Sequence, residues 1–387
     1  MTGTAAEALT AIQVAYLSAT GWLKADADLA ASGLLPTLGF VVADVANAAS
    51  GTFRINGRMT GFSGLTAGTD YYVSGTAGAI TSTAPAMARY VGRADSISSL
   101  IITPNPRAVV MPVVPNGRLT LTTAVAVTTA DVTAATTIYY TPYLGASLTL
   151  YDGSQWFQRT FAQVSIAVPA TTSQMYDVFV YDNAGVVTLE LTAWTNDTTR
   201  ATALTTQDGV LVKTGVLTRR YLGSFRTTGV SGQTEDSEAY RGLWNYYHRL
   251  PRTLSKREST ATWAYTVLTW RQARGQTANK VEYVIGVAEA PLDLAVSVMV
   301  GNLTVNVGVA VGIGHDSITA PVTGQIGGEL YSTGNALDTV RGSVRLYPSV
   351  GYHYGAWLEE SQATGTTNWT STNFLTAAAG LSGTIYG

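Results

Sequence analysis

The chain of 387 residues contains no cysteine, only three histidines and few charged residues. Without cysteine it can form neither a disulfide framework nor a thiolate metal site. The histidines, His248, His315 and His353, lie far apart in the sequence, which argues against a histidine-rich metal centre. Charged residues make up 12% of the chain, against about 25% in a typical domain. The net charge of −2 provides no general attraction to nucleic acid or acidic lipid, so we predict neither partner.

Long hydrophobic runs are also missing from the sequence. The N-terminal residues lack a basic region followed by an apolar block, so we expect no signal peptide. The most apolar stretch, residues 292–313, is interrupted by Asp293, Asn302, Asn306 and several glycines. This interruption argues against insertion into a membrane. Together these features predict a soluble protein that is released without secretion.

Short runs of β-branched and aromatic residues, separated by turn residues, are abundant and predict strands. Asp152-Gly153 lies between residues 148–151 and 156–157, a spacing that strongly indicates a hairpin. Two longer Gly-ended loops, residues 74–78 and 182–185, predict two further hairpins. The chain is therefore expected to be mostly β.

Two segments have helical character. Residues 4–17 are expected to form a short helix, and residues 237–249 place Tyr240, Leu243, Trp244 and Tyr247 at helical spacing. A cluster of prolines at 104, 106, 112 and 115 predicts an extended connector, because proline fixes φ and lacks an N–H. We predict three successive β domains of the sandwich or jelly-roll type: an N-terminal attachment domain (1–106), a Pro-rich connector (107–117), a central β-sandwich (118–236), a short helix or neck (237–252) and a jelly-roll-like head (253–387).

Catalytic motifs are scarce. The pattern G-x-S-x-G and the phosphate-binding loop are both absent. Gly308, Gly312 and Gly314 precede no helical pattern, so we interpret them as glycines of a crowded strand. His315-Asp316 resembles half of a catalytic set but has no nucleophile to pair with. Close carboxylates, which glycan-cleaving enzymes use, occur at three places: Asp26 with Asp28, Glu235-Asp236 with Glu238, and Glu359-Glu360. We predict no enzymatic activity, no cofactor and no metal.

A basic segment spans residues 241–274, and four aromatic residues lie near the end of the chain. The basic residues are Arg241, Arg249, Arg252, Lys256, Arg257, Arg271 and Arg274. We interpret them as a neck whose arginines pair with carboxylates or carbonyls across subunits; a solvated surface and a nucleic-acid site are the alternatives. Tyr352, Tyr354, Trp357 and Trp369 are candidate glycan-binding or interface residues, although half of them are expected simply to fill a β core.

The sequence of the first two predicted domains resembles bacteriophage fibre proteins. Residues 61–74, 78–81 and 90–94 are similar to a module that recurs in such appendages. Five further motifs resemble a phage structural family: residues 141–145, 150–156, 194–200, 219–223 and 243–247. The resemblance covers about residues 55–250, and the C-terminal third is at most similar to a jelly-roll-type fibre head.

The resemblance implies a virion structural protein that assembles as a homotrimer in the bacterial cytoplasm. It implies that the N-terminal part attaches to other virion proteins and that residues from about 253 face the host, where they contact a surface glycan. Trimerisation would also bury the exposed edges of separate β domains. A tail fibre is the first hypothesis. A capsid-attached head fibre or decoration protein and a glycan-degrading fibre enzyme that uses Asp or Glu of the last domain are the alternatives.

Overall fold

The fold is almost entirely β. The computed structural model describes residues 1–28, 37–83, 85, 89–103, 112–153, 156–334, 336–373 and 377–387. About 54% of the chain lies in strands, which confirms the prediction of a mostly β protein. Within these ranges the only helical element is a short 3₁₀ turn, Ala273–Gly275, and no helix is long and apolar enough to span a membrane.

The chain divides into two compact units. The first comprises Met1–Pro112, Thr149–Gln158 and Asp182–Val187, and the second comprises Val113–Leu148, Arg159–Tyr181 and Thr188–Gly387. The change of unit after Pro112 falls within the predicted connector, of which residues 107–111 lie outside the described residues. The second unit contains most of the predicted central domain and the whole of the predicted head.

The first unit contains two five-stranded antiparallel sheets. They share a core in which Val14 and Phe40 of one sheet pack with Tyr71 and Leu100 of the other. This arrangement is a β-sandwich. Its strands are β1 (Thr2–Thr4), β2 (Val14–Ser18), β3 (Gly21–Lys24), β4 (Leu38–Val41), β5 (Ser50–Arg54), β6 (Gly57–Thr60), β7 (Asp70–Val73), β8 (Ile80–Thr81), β9 (Tyr90–Ser96) and β10 (Ser99–Ile102).

The following strands complete the chain. They are β11 (Gly117–Thr120), β12 (Val132–Ala135), β13 (Thr137–Pro142), β14 (Ser147–Tyr151), β15 (Trp156–Thr160), β16 (Val164–Ala167), β17 (Met175–Asn183), β18 (Val186–Ala193), β19 (Leu204–Gln207), β20 (Val210–Lys213), β21 (Val216–Arg226), β22 (Thr234–Asp236), β23 (Tyr240–Arg241), β24 (Leu243–Asn245), β25 (Pro251–Arg257), β26 (Thr262–Ala264), β27 (Arg271–Gln272), β28 (Lys280–Ile285), β29 (Leu292–Asn302), β30 (Gly308–His315), β31 (Ile326–Gly327), β32 (Glu329–Tyr331), β33 (Asp338–Leu346), β34 (Gly351–Ser361), β35 (Thr367–Thr370), β36 (Thr372–Asn373), β37 (Ala377–Ala378) and β38 (Gly380–Tyr386).

Two large sheets form the main core of the second unit. One has eight strands and runs β12-β22-β23-β28-β34-β30-β32, with β27 beside β34; the other has seven and includes β25-β38-β29-β33-β31. Burial alternates along β29, so every second side chain faces inward, as expected for a strand with one covered face. Val296 and Val298 of β29 share a core with Val311, Ile313 and the other inward residues of the eight-stranded sheet.

All three predicted hairpins are present. β14 pairs with β15 around Asp152-Gly153, β17 with β18, and β7 with β8. Gly153 and Gly185 both have positive φ, which explains the need for glycine in two of these turns. The predicted interpretation of Gly308, Gly312 and Gly314 as strand residues is also confirmed, because all three lie in β30.

Both predicted helices are wrong. Residues 4–17 instead contain the end of β1 and the start of β2, and Ala5 and Leu9 make isolated bridges to distant residues. Within residues 237–249, Tyr240-Arg241 pairs with β28 and residues 243–245 pair with β21. Pairing with strands distant in sequence has therefore overridden the helical spacing of the aromatic residues. The segment contributes Tyr240-Arg241 to the eight-stranded sheet and residues 243–245 to a six-stranded sheet.

Candidate functional site

Two of the four candidate aromatic residues are buried. Trp357 and Trp369 have no exposed surface, and both belong to the main core of the second unit. Trp357 packs edge-on against Trp263, with ring centroids 5.8 Å apart. The Nε1–H of Trp369 donates to the carbonyl oxygen of Tyr265 at 3.2 Å. Neither indole is available to a glycan in this fold, which corresponds to the alternative that half of the four residues fill a core.

The other two candidate aromatic residues, Tyr352 and Tyr354, are half-buried on β34. The hydroxyl of Tyr352 donates to Glu282, and the guanidinium of Arg226 lies 3.9 Å from the centre of its ring. The ammonium of Lys280 lies 5.1 Å from the ring centre of Tyr354. Both tyrosines therefore already have partners within the chain, although part of each ring remains accessible.

The arginines of the basic segment pair with carboxylates of the same chain. Asp236 accepts from both Arg241 at 3.1 Å and Arg252 at 2.7 Å. The other three pairs are Arg249 with Glu289, Arg271 with Glu359 and Arg274 with Glu258. All five arginines therefore have a carboxylate partner within their own chain, and their pairing across subunits stays a prediction. They stabilise the fold of their own chain.

Glu258 gives one of these pairs a testable pH dependence. Burial raises its pKa, but bonds from Asn279, the Thr260 N–H and Arg274 outweigh burial and lower the pKa to about 2. The unfolded carboxyl has its pKa near 4.5, so the charged form stabilises the fold fully above that pH. This contribution is lost as the pH falls from about 4.5 to about 2.

We therefore expect Glu258→Gln to lower the Tm most at pH 7. The difference from the unchanged chain should shrink steadily between pH 4.5 and pH 2. Differential scanning calorimetry of both chains across this range measures the effect. A difference in Tm that stays constant with pH would show that the charge of Glu258 does not contribute.

A cluster of two histidines and one aspartate lies at one end of the eight-stranded sheet. His315 is the last residue of β30, Asp316 follows it, and His353 lies near the start of β34. The antiparallel pairing of β30 with β34 places His315 opposite Gly355, which brings it next to His353. Their imidazole rings are stacked, with centroids 5.2 Å apart. One candidate ligand atom from each residue lies within 4.8 Å of the others.

The chain turns sharply at the cluster. Gly314 is required there, because a Cβ at this position would lie 2.0 Å from the carbonyl oxygen of Ser317. Asp316 itself has a φ of 53°, a left-handed conformation that aspartate and asparagine tolerate better than most residues. The Tyr354 N–H donates to Oδ1 of Asp316 at 2.9 Å and so fixes its carboxylate. The turn and this bond direct Oδ2 towards the histidines.

Oδ2 of Asp316 contacts both imidazoles. It lies 2.7 Å from Nδ1 of His353 and 3.5 Å from Nδ1 of His315. Burial raises the pKa of Asp316, but the bonds from His353 and the Tyr354 N–H outweigh burial, and the pKa is lower than usual. Burial, together with the neighbouring His353, also lowers the pKa of His315. The cluster therefore presents an anionic carboxylate beside two nitrogen ligands.

Several polar atoms around the cluster have no hydrogen-bond partner within the described residues. Nε2 of His315 is buried without a partner, and so is the hydroxyl of Tyr283. The ring of Tyr283 lies 6.0 Å from that of His353 and 6.4 Å from that of His315. Burial raises the pKa of Tyr283 well above its usual value. Nε2 of His315 and the Tyr283 hydroxyl therefore have no hydrogen bond to other groups of the cluster.

The sequence had singled out His315-Asp316 but had not paired it with His353. His353, the third member of the cluster, lies 37 residues beyond Asp316 in the sequence. The register of β30 and β34 brings it next to His315 and Asp316. The sequence signal for this cluster was a histidine followed by an aspartate at the end of a predicted strand. Nothing local in the sequence indicates which strand pairs beside it.

A second carboxylate group lies on the same sheet. Glu329 of β32 and Glu360 of β34 both pair with Ala310 of β30, from opposite sides, and they line a cavity of about 170 Å³ with Tyr331 and Gln362. Burial and the charge of Glu329 raise the pKa of Glu360. Glu359, by contrast, is fully buried and bound to Arg271 and Trp263. Of the predicted pair Glu359-Glu360, only Glu360 reaches this cavity.

Comparisons with known proteins give no assignment. No protein-family model matches the chain, and no curated protein matches it. The solved structures that it resembles include the insecticidal delta-endotoxin Cry8Ea1 of Bacillus thuringiensis, at 7% identity over 70% of this chain and 52% of that one (TM-score 0.21). Infectious bursal disease virus Gx strain matches at 8% identity over 67% of this chain and 70% of that one (TM-score 0.21). The exo-β-1,3-galactanase of Phanerochaete chrysosporium matches at 7% identity over 94% and 78% (TM-score 0.16). The chain spans about half the length of the endotoxin.

Proposed function

We propose that the chain is a structural protein of a bacteriophage virion: a tail fibre that forms part of the tail or baseplate and contacts the host surface. In this proposal it assembles in the bacterial cytoplasm as a homotrimer, binds other virion proteins, and has no enzymatic activity. The observation that carries the proposal is a group of exposed apolar side chains at one end of the second unit. Such side chains are typical of a surface that another subunit covers.

This group, the apolar end, consists of Leu303, Val305, Tyr331 and Leu337. Their exposed fractions are 71%, 58%, 64% and 44%. The loop after β29 is held against the segment after β32 by a bond from the Ser332 hydroxyl to the Thr304 carbonyl at 2.6 Å. This bond places the loop that carries Leu303 and Val305 beside the segment that follows Tyr331.

Sheet edges beside the apolar end strengthen the argument. β32 is the last strand of the eight-stranded sheet, and β31, with Ile326 75% exposed, is the last strand of the seven-stranded sheet. Unpaired edges with exposed apolar side chains favour association with another chain. Copies related by rotational symmetry would cover the edges and the apolar end together.

We expect the purified chain to be a trimer. Multi-angle light scattering should give about 122 kDa, which is three copies of the 40.7 kDa chain. A stable mass near 40.7 kDa at micromolar concentration would contradict the fibre proposal.

The contact surface has its own test. Leu303→Glu combined with Val305→Glu places charges on the apolar end and is expected to yield monomers with an unchanged circular dichroism spectrum. Ile97→Glu is the matched control, because Ile97 is an equally exposed apolar residue in the first unit. If the double variant remains trimeric, the trimer contact does not include the apolar end.

A head fibre or decoration protein on the capsid is a variant of the same proposal that differs only in the site of attachment. Immunogold labelling of intact particles separates the two, because gold would lie on the tail in one case and on the capsid in the other. The apolar end supports both equally, since each requires a stable oligomer.

The glycan-degrading alternative has one specific feature in its favour: the cavity shared by Glu329 and Glu360. Glycosidases use two carboxylates, one of them with a raised pKa. Glu329 and Glu360 line one cavity, and the pKa of Glu360 is raised. We expect no loss of chain length when the protein is incubated with envelope polysaccharide of its host. Shortening that Glu360→Gln abolishes would overturn the non-enzymatic proposal and identify the cavity as the active site.

A further inference from the structure

We propose that His315, Asp316 and His353 form a binding site for one divalent transition-metal ion, Zn²⁺ above all. The ligand atoms would be a ring nitrogen of His315, Oδ2 of Asp316 and Nδ1 of His353. This inference concerns the second unit alone and does not depend on the proposed role in a virion. It departs from the sequence-based prediction of no metal.

The distances fit such an ion. Zn²⁺ binds imidazole nitrogen and carboxylate oxygen at about 2.0–2.2 Å, so two ligands of a tetrahedral ion lie about 3.3 Å apart. Oδ2 of Asp316 lies 2.7 Å from Nδ1 of His353 and 3.5 Å from Nδ1 of His315. These values lie on either side of the ideal separation. The ligand atoms of all three residues lie within 4.8 Å of one another, so side-chain shifts of up to about 1.5 Å would create the site.

The hydrogen bonds of His353 provide independent support. Its Nε2 lies 2.9 Å from the carbonyl oxygen of Ser349, and its Nδ1 faces the carboxylate of Asp316. A metal ion at Nδ1 fits this arrangement, because Nε2–H would then donate to the Ser349 carbonyl while the ion binds both Nδ1 and the carboxylate. Metal-binding histidines commonly make this bond to a backbone carbonyl.

The carboxylate of Asp316 is also held in place by a hydrogen bond. The Tyr354 N–H binds Oδ1 of Asp316 and leaves Oδ2 facing the imidazoles. Because His353 is 3% exposed and β34 pairs on both sides, one half of the site is rigid before any ion arrives. Three protein ligands leave a fourth position on a tetrahedral ion for water or an external group.

The donor atoms also select the class of ion. Two imidazoles and one carboxylate suit Zn²⁺, Ni²⁺ and Cu²⁺, whereas Ca²⁺ and Mg²⁺ prefer sites built from oxygen alone. An ion here would link the end of β30 to the start of β34. It would therefore stabilise the second unit by binding the folded chain in preference to the unfolded one.

The direct test is a titration of the full-length chain without an affinity tag. After treatment with EDTA and removal of the chelator, ZnCl₂ is titrated by isothermal calorimetry, with MgCl₂ in a parallel experiment. We expect one Zn²⁺ per chain, no saturable Mg²⁺ binding, and a Tm higher by about 5–10 °C when Zn²⁺ is present at a hundred times its Kd.

Variants locate the site. Asp316→Asn keeps the size of the side chain and tolerates the positive φ, so it should fold, and we expect it to weaken Zn²⁺ binding at least about tenfold. His315→Gln should abolish the rise in Tm. His248→Asn is the control, because His248 contacts the Pro115 carbonyl and should leave Zn²⁺ binding unchanged. The inference is overturned if the unchanged chain binds no stoichiometric Zn²⁺, or if both site variants, shown to be folded by circular dichroism, bind it as tightly as the unchanged chain.

Discussion

Replacing Asp177 with alanine is expected to lower the free energy of unfolding of the second unit by about 3–5 kcal/mol. Asp177 is 1% exposed and accepts bonds from Arg200 at 2.7 and 3.2 Å and from the Ser224 hydroxyl at 2.7 Å. Without it, the guanidinium of Arg200 remains largely buried and loses its counter-charge. Removing one partner of a buried pair costs far more than the pair contributes, because the other charge is left in a medium of low dielectric constant.

An exposed pair of similar geometry provides the control. Asp293 binds Arg345 through two bonds of 2.7 and 2.9 Å, but the two side chains are 46% and 64% exposed. Asp293→Ala should therefore cost less than about 1 kcal/mol. Urea unfolding followed by tryptophan fluorescence measures both variants. Equal losses would show that burial does not determine the contribution of these pairs.

Trp369→Ala is expected to be the second severe change, at about 3–5 kcal/mol. Trp369 lies in β35 opposite Trp263 of β26 and Val300 of β29, and it is completely buried. Its removal leaves a cavity that the paired strands cannot close, and it leaves the Tyr265 carbonyl without its N–H donor.

This variant also distinguishes a core residue from a glycan-binding residue. Tyr347→Ala is the control, because Tyr347 is 74% exposed and its loss should change stability by at most about 0.5 kcal/mol. If Trp369→Ala instead leaves urea unfolding unchanged and lowers retention on immobilised host polysaccharide, Trp369 is a surface residue and the core assignment is wrong.

Features that depend on neighbours in sequence could be predicted. Asp152-Gly153 and the two longer Gly-ended loops determine their hairpins through turn geometry, which a few residues decide. Such features need no knowledge of the rest of the chain.

Features that depend on pairing between strands distant in the sequence could not be predicted. The spacing of Tyr240, Leu243, Trp244 and Tyr247 fits a helix locally, yet these residues lie in or beside strands that pair with β21 and β28. Arg252 of β25 and Arg271 of β27 have partners within the chain because the fold brings Asp236 of β22 and Glu359 of β34 to them. His353 joins His315-Asp316 only through the register of β30 with β34.

The most direct test of the proposed virion role uses the particle itself. If the proposal holds, a phage encodes the chain, and its particles can be purified on a density gradient. They are analysed by mass spectrometry and labelled with gold-conjugated antibody against residues 253–387. The proposal predicts that the chain copurifies with infectious particles and that gold decorates their appendages. Absence of the chain from purified particles, with its recovery only in the soluble lysate, would contradict it.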